Sequence, residues 1–210
     1  MKPVVTIVDY GMGNLLSVAR ALEHCGAVVV YANSPDLVAK AERLVLPGVG
    51  AFAGGIAELQ QGNLIEAIRS YAGSGRPLLG ICLGMQLLLD GSDEFGASEG
   101  LGLISGWVKK LPSQTGIKLP NVGWNAIHPP NELAWDNTLL KNIDAQQEMY
   151  FVHSFYAAPQ DASACLAKTR YGNFEFCCAI KKNNVTGFQF HPEKSGEAGL
   201  QLIRNFLLKD

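Results

Sequence analysis

Between residues 4 and 90, short apolar segments alternate with segments of helical spacing, and this alternation restricts the fold more than any other feature of the chain. The predicted strands cover residues 4–8, 28–31, 43–46 and 77–82, and the predicted helices cover residues 15–24, 64–71 and 85–90. Strands without polar alternation are buried on both faces, and strands joined through helices run parallel. The sequence therefore predicts an α/β fold with helices on both faces of a mostly parallel central sheet.

The second half of the chain has a different pattern. Its apolar segments are short and separated by Gly, Pro and Asn, which is typical of antiparallel or mixed strands; they lie at 101–110, 119–127, 148–156, 163–170, 174–180 and 185–190. A last helix is predicted over residues 197–208. Without a repeat or a linker, residues 1–210 are interpreted as one domain in which these strands extend the same sheet.

Composition and charge argue against several classes of function. Apolar residues make up 48% of the chain and charged residues 17%; the net charge is −2, and no Lys/Arg cluster exceeds a pair. A nucleic-acid or membrane-surface partner therefore lacks electrostatic support. The apolar stretch at 77–89 is interrupted by Gly80, Gly84 and Gln86, and it is shorter than the about 20 residues that a membrane-spanning helix needs. With five cysteines, no CxxC pair and no signal peptide, a cytoplasmic protein with reduced thiols is expected.

The sharpest local signal is Gly80-Ile81-Cys82-Leu83-Gly84, set between a predicted strand and a predicted helix. This is the G-x-nucleophile-x-G elbow with cysteine in place of serine. Glycines suit the tight turn, and the helix N-terminus favours a thiolate and offers N–H groups to an oxyanion. A buried structural cysteine is the bland alternative, but the elbow setting favours a nucleophile.

A thiolate nucleophile needs a base, and the four histidines differ in setting. His24 and His128 are expected at the surface, and His153 lies within a predicted strand. His191 follows an apolar run and precedes Pro192 and Glu193, so a carboxylate can orient its imidazole. Alone, this short motif is more often a strand end than a catalytic site. Together with the cysteine elbow, it predicts a Cys82, His191 and Glu193 triad.

A third signal is the glycine-rich segment at 47–50, which directly follows the third predicted strand. Backbone N–H groups at such a strand end can receive a developing oxyanion. Residues 48–53 also satisfy the dinucleotide pattern G-x-G-x-x-[GA], but they do not follow the first strand and no acidic partner ends the next strand. Nucleotide binding is therefore the weaker interpretation, and no Cys/His spacing suits zinc.

Taken together, the motifs resemble the class I triad glutamine amidotransferases over essentially the whole chain. The matching segments are Asp9-Tyr10-Gly11-Met12-Gly13-Asn14, Pro47-Gly48-Val49-Gly50-Ala51-Phe52, Gly80-Ile81-Cys82-Leu83-Gly84-Met85-Gln86, Gly123-Trp124-Asn125, Tyr150-Phe151-Val152-His153-Ser154 and Phe188-Gln189-Phe190-His191-Pro192-Glu193-Lys194-Ser195. The resemblance implies a flavodoxin-like fold that hydrolyses glutamine to glutamate and ammonia, with no cofactor and no metal.

The resemblance also implies roles for individual residues. Cys82 would form a glutamyl thioester, and His191 would shuttle protons. Backbone N–H groups would form the oxyanion hole, contributed by Leu83, Gly48, Val49 and Gly50. The substrate glutamine would be held by Gln86, Glu94 and Ser154. The bland alternatives for these last three are a helix-surface Gln, a solvated Glu and a strand Ser.

Within the family, the chain is similar to members that pass ammonia to a (β/α)8-barrel cyclase subunit of histidine biosynthesis, forming a heterodimer. The face that meets the cyclase would carry Gly123, Trp124, Asn125, Tyr150 and Lys194, although Trp124 could equally be core and Lys194 a solvated surface residue. The family pattern Pro-His-Met is replaced by Pro120-Asn121-Val122. Since this segment faces the partner, a paralogous glutaminase that serves a synthase of amidated surface-sugar precursors stays open.

Two other classes of protein are compatible with parts of the pattern. A cysteine peptidase or esterase could use the same elbow, but its substrate would need an open cleft. A non-catalytic scaffold for a synthase would not need an intact Cys82, His191 and Glu193. Glutaminase activity with and without a barrel partner separates these readings.

Overall fold

The computed structural model describes residues 1–130 and 135–208. Its strands are β1 (Val4–Val8), β2 (Val28–Ala32), β3 (Leu44–Leu46), β4 (Leu78–Ile81), β5 (Gly91–Ser92), β6 (Ser98–Glu99), β7 (Gly106–Lys110), β8 (Asn121–His128), β9 (Glu148–His153), β10 (Phe155–Pro159), β11 (Cys165–Tyr171), β12 (Phe174–Lys182) and β13 (Val185–Phe188). Its helices are α1 (Leu15–His24), α2 (Pro35–Ala39), α3 (Phe52–Gln61), α4 (Leu64–Gly73), α5 (Leu83–Leu87) and α6 (Gly196–Leu208), with short 3₁₀ helices at Ala162–Ala164 and Pro192–Lys194.

The strands form a mixed sheet whose parallel half carries the predicted motifs. Its order is β2-β1-β3-β4-β13-β12-β10-β7-β5-β6, with β11, β8 and β9 branching from β12. Pairing is parallel from β2 through β13 and turns antiparallel at β12. The expected α/β fold with a mostly parallel core and an antiparallel extension is confirmed.

Helices cover both faces of the parallel half. On one face, α1 and α6 pack against β1 and β4, with Val18, Leu22, Ile203 and Phe206 in the core. On the other face, α2, α3, α4 and α5 bury residues such as Ile68 against the sheet. Burial on both faces explains why these strands are continuously apolar. No helix in the described segments is long and apolar enough to cross a membrane.

The sequence missed two helices and misplaced a third. Helix α3 contains Gly54 and Gly55, which lower helix propensity and hide its pattern. A Cβ on Gly55 would lie 3.2 Å from the Leu87 side chain, so a larger residue there would require that side chain to shift. Helix α2 has only five residues, too few for a periodic signal. The helix predicted at 85–90 begins at Leu83 and ends at Leu87, so its first turn directly follows Cys82.

Candidate active site

Three neighbouring parallel strands end at the same edge of the sheet, and each leads into a predicted functional segment. β3 leads into residues 47–50, β4 into Cys82, and β13 into His191. β3 pairs with β4, and β4 pairs with β13. This pairing brings His191 next to Cys82 despite their distance in sequence. The carboxyl ends of parallel strands are the usual place for a ligand site in such folds.

Cys82 sits in a strained backbone turn. Its φ of 54° and ψ of −111° are unusual for a residue with a side chain. The flanking glycines permit this turn: a Cβ on Gly84 would collide with the Leu46 carbonyl oxygen, and one on Gly80 would lie 2.8 Å from the Gly84 oxygen. The turn leaves Cys82 in position to cap α5 while its sulfur lines a cavity. This is the geometry of a nucleophile elbow.

His191 and Glu193 form a buried pair beside Cys82. Nδ1 of His191 lies 2.8 Å from Oε1 of Glu193, and the side chains are only 2% and 1% exposed. Nε2 of His191 is buried and has no hydrogen bond of normal geometry to any described residue. Burial alone would lower the pKa of His191, but interactions with Cys82 and Glu193 prevail and raise it to about 9. The arrangement therefore favours an imidazolium next to the sulfur.

His153 lies in the same region but has the opposite electrostatic character. Its Nδ1 is 2.8 Å from the Phe155 carbonyl oxygen, so this nitrogen carries the proton. Its Nε2 then accepts a 3.1 Å hydrogen bond from the Asn121 side-chain amide. Burial lowers the pKa of His153 to about 4. The hydrogen bond to Phe155 raises this pKa and the charge of His191 lowers it, but burial has the largest effect. The imidazole of His153 is thus neutral with a fixed tautomer.

The glycine-rich loop after β3 closes over the first turn of α5. The backbone N–H of Leu83 donates to the Gly48 carbonyl oxygen at 3.3 Å. An oxyanion hole would need this N–H free, so the donor predicted at Leu83 is occupied by the loop itself. Gly50 has a φ of 111°, a left-handed value that glycine tolerates. Val49, between the two glycines, is exposed at the cavity wall.

Tyr10, which sequence reasoning did not single out, anchors this loop. Its hydroxyl donates to the Pro47 carbonyl oxygen at 2.7 Å and stands against Gly48, where a Cβ would collide with it. Burial and then the charge of Cys82 raise the pKa of Tyr10, so it remains a neutral donor. A tyrosine after a first strand carries no sequence signal for this contact.

A cavity of about 480 Å³ opens beside Cys82 and is lined by all three predicted substrate-binding residues. Nε2 of Gln86 donates to the carbonyl oxygen of Phe155 and to Oε1 of Gln189, each at 3.0 Å. Oε2 of Glu94 accepts the Phe52 N–H at 2.7 Å, at the start of α3. Gln86 and Glu94 are therefore buried and braced rather than solvated.

Residues outside the predicted set complete the wall of the cavity. Lys110 adds a positively charged side chain to the cavity lining, which also contains the acidic Glu94. Phe95 is 90% exposed and has a φ of 56°, at the tip of the turn between β5 and β6. Within the described residues, no group of three or more His, Cys, Asp or Glu is arranged to hold a metal ion.

The predicted partner face lies on β8, β9 and the 3₁₀ helix after His191. Trp124 and Tyr150 meet edge to face with ring centroids 5.9 Å apart, and Nζ of Lys194 lies 6.0 Å from the Tyr150 ring centre. The Asn125 side chain donates to the Arg170 carbonyl oxygen, so it braces the strand. Gly123 has a φ of 147°, and a Cβ there would meet no atom.

This face is hydrogen-bonded directly to His191. The backbone N–H of His191 donates to the Tyr150 carbonyl oxygen at 2.9 Å, and the Lys194 N–H donates to the His191 carbonyl oxygen at 3.0 Å. A displacement of Tyr150 or Lys194 can therefore be transmitted to His191 through one backbone hydrogen bond.

Comparisons with known proteins agree with this geometry. Residues 6–210 match the family model for glutamine amidotransferase class-I. Imidazole glycerol phosphate synthase subunit HisH 1 of Legionella pneumophila (strain Lens) is 50% identical over 209 residues, covering 97% of this chain and 98% of that protein. Subunit HisH of Moorella thermoacetica is 47% identical over 206 residues, covering 98% and 94%. A chain of the PurLQS structure from Thermotoga maritima superposes with a TM-score of 0.74 at 20% identity, covering 99% and 98%, which supports the fold alone.

Proposed function

Because this chain belongs to the class-I glutamine amidotransferase family, we propose that it is the glutaminase subunit of imidazole glycerol phosphate synthase and supplies ammonia for histidine biosynthesis. The chain spans nearly the full length of relatives that carry this subunit name. The observation that carries the chemistry is the convergence of Cys82, His191 and residues 47–50 at the ends of three adjacent strands.

In the first half of the proposed reaction, Cys82 acts as a thiolate next to protonated His191, whose pKa is raised to about 9. The sulfur attacks the side-chain carbonyl carbon of glutamine, and a C–S bond and an oxyanion form. Nε2 of His191 then gives its proton to the amide nitrogen as the C–N bond breaks. Ammonia leaves and the glutamyl thioester remains on Cys82.

In the second half, neutral His191 takes a proton from water while the hydroxyl group adds to the thioester carbonyl. The C–S bond breaks, glutamate leaves, and the thiolate and imidazolium are restored. Glu193 holds the proton on Nδ1 throughout, which fixes the tautomer that leaves Nε2 facing the sulfur. Each oxyanion needs the N–H groups of Leu83 and of the 47–50 loop.

The ammonia has to reach its acceptor without meeting solvent, because protonation at neutral pH removes its nucleophilicity. We propose that a (β/α)8-barrel cyclase subunit docks on the face around Trp124, Tyr150 and Lys194, forming a heterodimer. The exposed Trp124 beside Tyr150 supports this, since aromatic residues are enriched at interface centres. We also propose that residues 1–210 act as one domain, and that the enzyme is cytoplasmic, where its five unpaired cysteines stay reduced.

The deciding experiment combines the purified chain with the cyclase subunit of imidazole glycerol phosphate synthase. We expect glutamine-dependent formation of imidazole glycerol phosphate. A Cys82→Ser variant should fold and lose glutamine turnover by orders of magnitude, yet support product formation from added ammonium salts. Labelling by a glutamine-analogue alkylator at Cys177 or Cys178 instead of Cys82 would contradict the nucleophile assignment. Binding to a surface-sugar synthase and not to this cyclase would move the enzyme to the paralogous pathway.

A further inference from the structure

The side chain of Gln189 contacts the nucleophilic sulfur, although nothing in the proposed mechanism uses it. Gln189 is completely buried, and its Nε2 lies 3.9 Å from Sγ of Cys82. Its Oε1 accepts from Nε2 of Gln86 at 3.0 Å. The contact belongs to a chain of polar groups that runs from the sulfur to the Phe155 carbonyl oxygen.

That carbonyl oxygen determines which way the amides face. An oxygen of this kind only accepts, so the Gln86 atom at 3.0 Å from it must be the NH2 group. The same NH2 group faces Gln189, which must therefore present its oxygen to Gln86. The other end of the Gln189 amide is then an N–H donor, and it points at Cys82.

The sulfur has a second, opposing neighbour in the Val152 carbonyl oxygen. Sγ of Cys82 lies 4.0 Å from this oxygen, which can accept the proton of a thiol but repels a thiolate. Gln189 acts in the other direction, because an N–H donor favours the charged sulfur. The titratable groups around the sulfur are His191 after β13, Tyr10 after β1, His153 at the end of β9, Lys110 at the end of β7 and Glu94 in the turn between β5 and β6.

We propose that Gln189 is a further catalytic residue, which donates a side-chain N–H to Cys82 and stabilises the thiolate over the thiol. Gln86 holds Gln189 in this orientation, and so contributes to thiolate formation as well as lining the substrate cavity. The proposal deepens the proposed function, since it concerns the same nucleophile. It can be tested without glutamine, so its failure is distinguishable from the failure of the glutaminase assignment.

The test measures the rate at which iodoacetamide alkylates Cys82 between pH 6 and pH 10, followed by mass spectrometry of the Cys82 peptide in the full chain. Gln189→Met keeps the side-chain length and removes the donor. We expect alkylation at pH 7 to slow by roughly three- to tenfold, as for the loss of one long charge-assisted hydrogen bond, with rates converging at high pH. Gln189→Glu should slow it further, because a carboxylate repels the thiolate.

A matched control is Gln114→Met. Gln114 makes hydrogen bonds to Tyr171 and Asn173 but does not line the cavity, so its loss should leave the Cys82 profile unchanged. Should Gln189 variants fail to fold, Gln86→Leu frees the Gln189 amide to turn and should shift the profile in the same direction. A profile unchanged in the Gln189 or Gln86 variants overturns the proposal. So does a rate that falls equally at every pH, since that is the signature of a packing role.

Discussion

Oε1 of Glu193 lies 2.8 Å from Nδ1 of His191, although the two residues are only two positions apart and both side chains are almost fully buried. Pro192 and the 3₁₀ helix at Pro192–Lys194 fold the chain back and make this contact possible. A buried carboxylate next to an imidazole favours the charged ring. The contact therefore fixes the tautomer of His191, and it favours the charged ring together with the larger effect of Cys82.

The first prediction concerns the titration of the two buried histidines. In NMR titrations, His191 should lose its proton near pH 9 and His153 near pH 4. Because the folded pKa of His191 exceeds its ordinary value of 6.5, its stabilising contribution is complete below pH 6.5 and is lost as the pH rises towards about 9. His153 has a lowered pKa, so stability is lost as the pH falls from 6.5 towards about 4.

A Cys82→Ala variant is the control for this titration. Removing the sulfur should lower the pKa of His191 and leave the proton of His153 on Nδ1, where it is donated to the Phe155 carbonyl oxygen. An unchanged titration of His191 in Cys82→Ala would mean that the thiolate does not contribute to its charge.

The second prediction separates the roles of these histidines in turnover. His191→Asn should abolish thioester formation, because His191 is the group next to the sulfur that gives its proton to the leaving amide nitrogen in the proposed reaction. His153→Asn should leave a measurable fraction, since His153 is neutral and bonded to Asn121 and Phe155. Single-turnover trapping of the labelled thioester measures the extent of thioester formation in both variants. Equal losses in the two variants would point to a different base.

The third prediction concerns the closed oxyanion hole. With the Leu83 N–H bonded to the Gly48 carbonyl oxygen, the lone chain should be a poor glutaminase that the cyclase activates. One missing oxyanion donor typically costs about 10²–10³ in rate. Tyr10→Phe removes the hydrogen bond that anchors Pro47, so it should raise the lone-chain rate and reduce the activation by the partner.

The matched control for Tyr10→Phe is Tyr71→Phe. Both variants test whether the loop at 47–50 acts as a gate, that is, whether it keeps the Leu83 N–H occupied until the partner binds. The Tyr71 hydroxyl also donates to a carbonyl oxygen, that of Pro77, but it does not line the cavity. Its loss should affect stability and not the activation ratio. Equal glutaminase rates for the lone wild-type chain and the complex would rule the gate out.

These contacts also mark where sequence reasoning ends. The elbow at Cys82 could be predicted because its pattern is local in sequence, and a Cβ on Gly80 would already meet Gly84 and Met85; the contact of Gly84 with Leu46, by contrast, is set by the pairing of β3 and β4. The approach of His191 needed the insertion of β13 next to β4, which no local pattern encodes. The Gly48 to Leu83 hydrogen bond depends on the orientation of one peptide group, and a sequence holds no signal for it.

The fourth prediction concerns the coupling of the two reactions. Lys194→Ala should uncouple them, so that glutamine is consumed faster than imidazole glycerol phosphate forms. The reason is that Lys194 lies over Tyr150 and bonds to the His191 backbone, joining the partner face to the base. The ratio of glutamate to imidazole glycerol phosphate formed measures how much ammonia is lost. Lys141→Ala, at an exposed lysine outside this face, is the control and should keep the ratio at one to one. A Lys194→Ala complex with the same ratio would refute the coupling role.

The fifth prediction concerns substrate orientation. Free glutamine carries one positive charge, on its α-ammonium group, and one negative charge, on its α-carboxylate. The acidic Glu94 and the basic Lys110 both line the cavity. Lys110→Met should therefore raise KM with little change in kcat, because it removes binding that is equal in the ground and transition states. The neighbouring Lys109 does not line the cavity, so Lys109→Met is a matched control. A fall in kcat at constant KM would place Lys110 in the chemistry instead.

The strand order has a consequence for the timing of activity during synthesis. Cys82 and the loop at 47–50 leave the ribosome long before β13, which inserts between β4 and β12 and carries His191. Until that insertion, a nascent chain has its nucleophile without a proton carrier. Long-range pairing of this kind is slow to form. On the proposed mechanism, ammonia production begins only after β13 has paired with β4 and β12, so an unfinished chain does not consume glutamine.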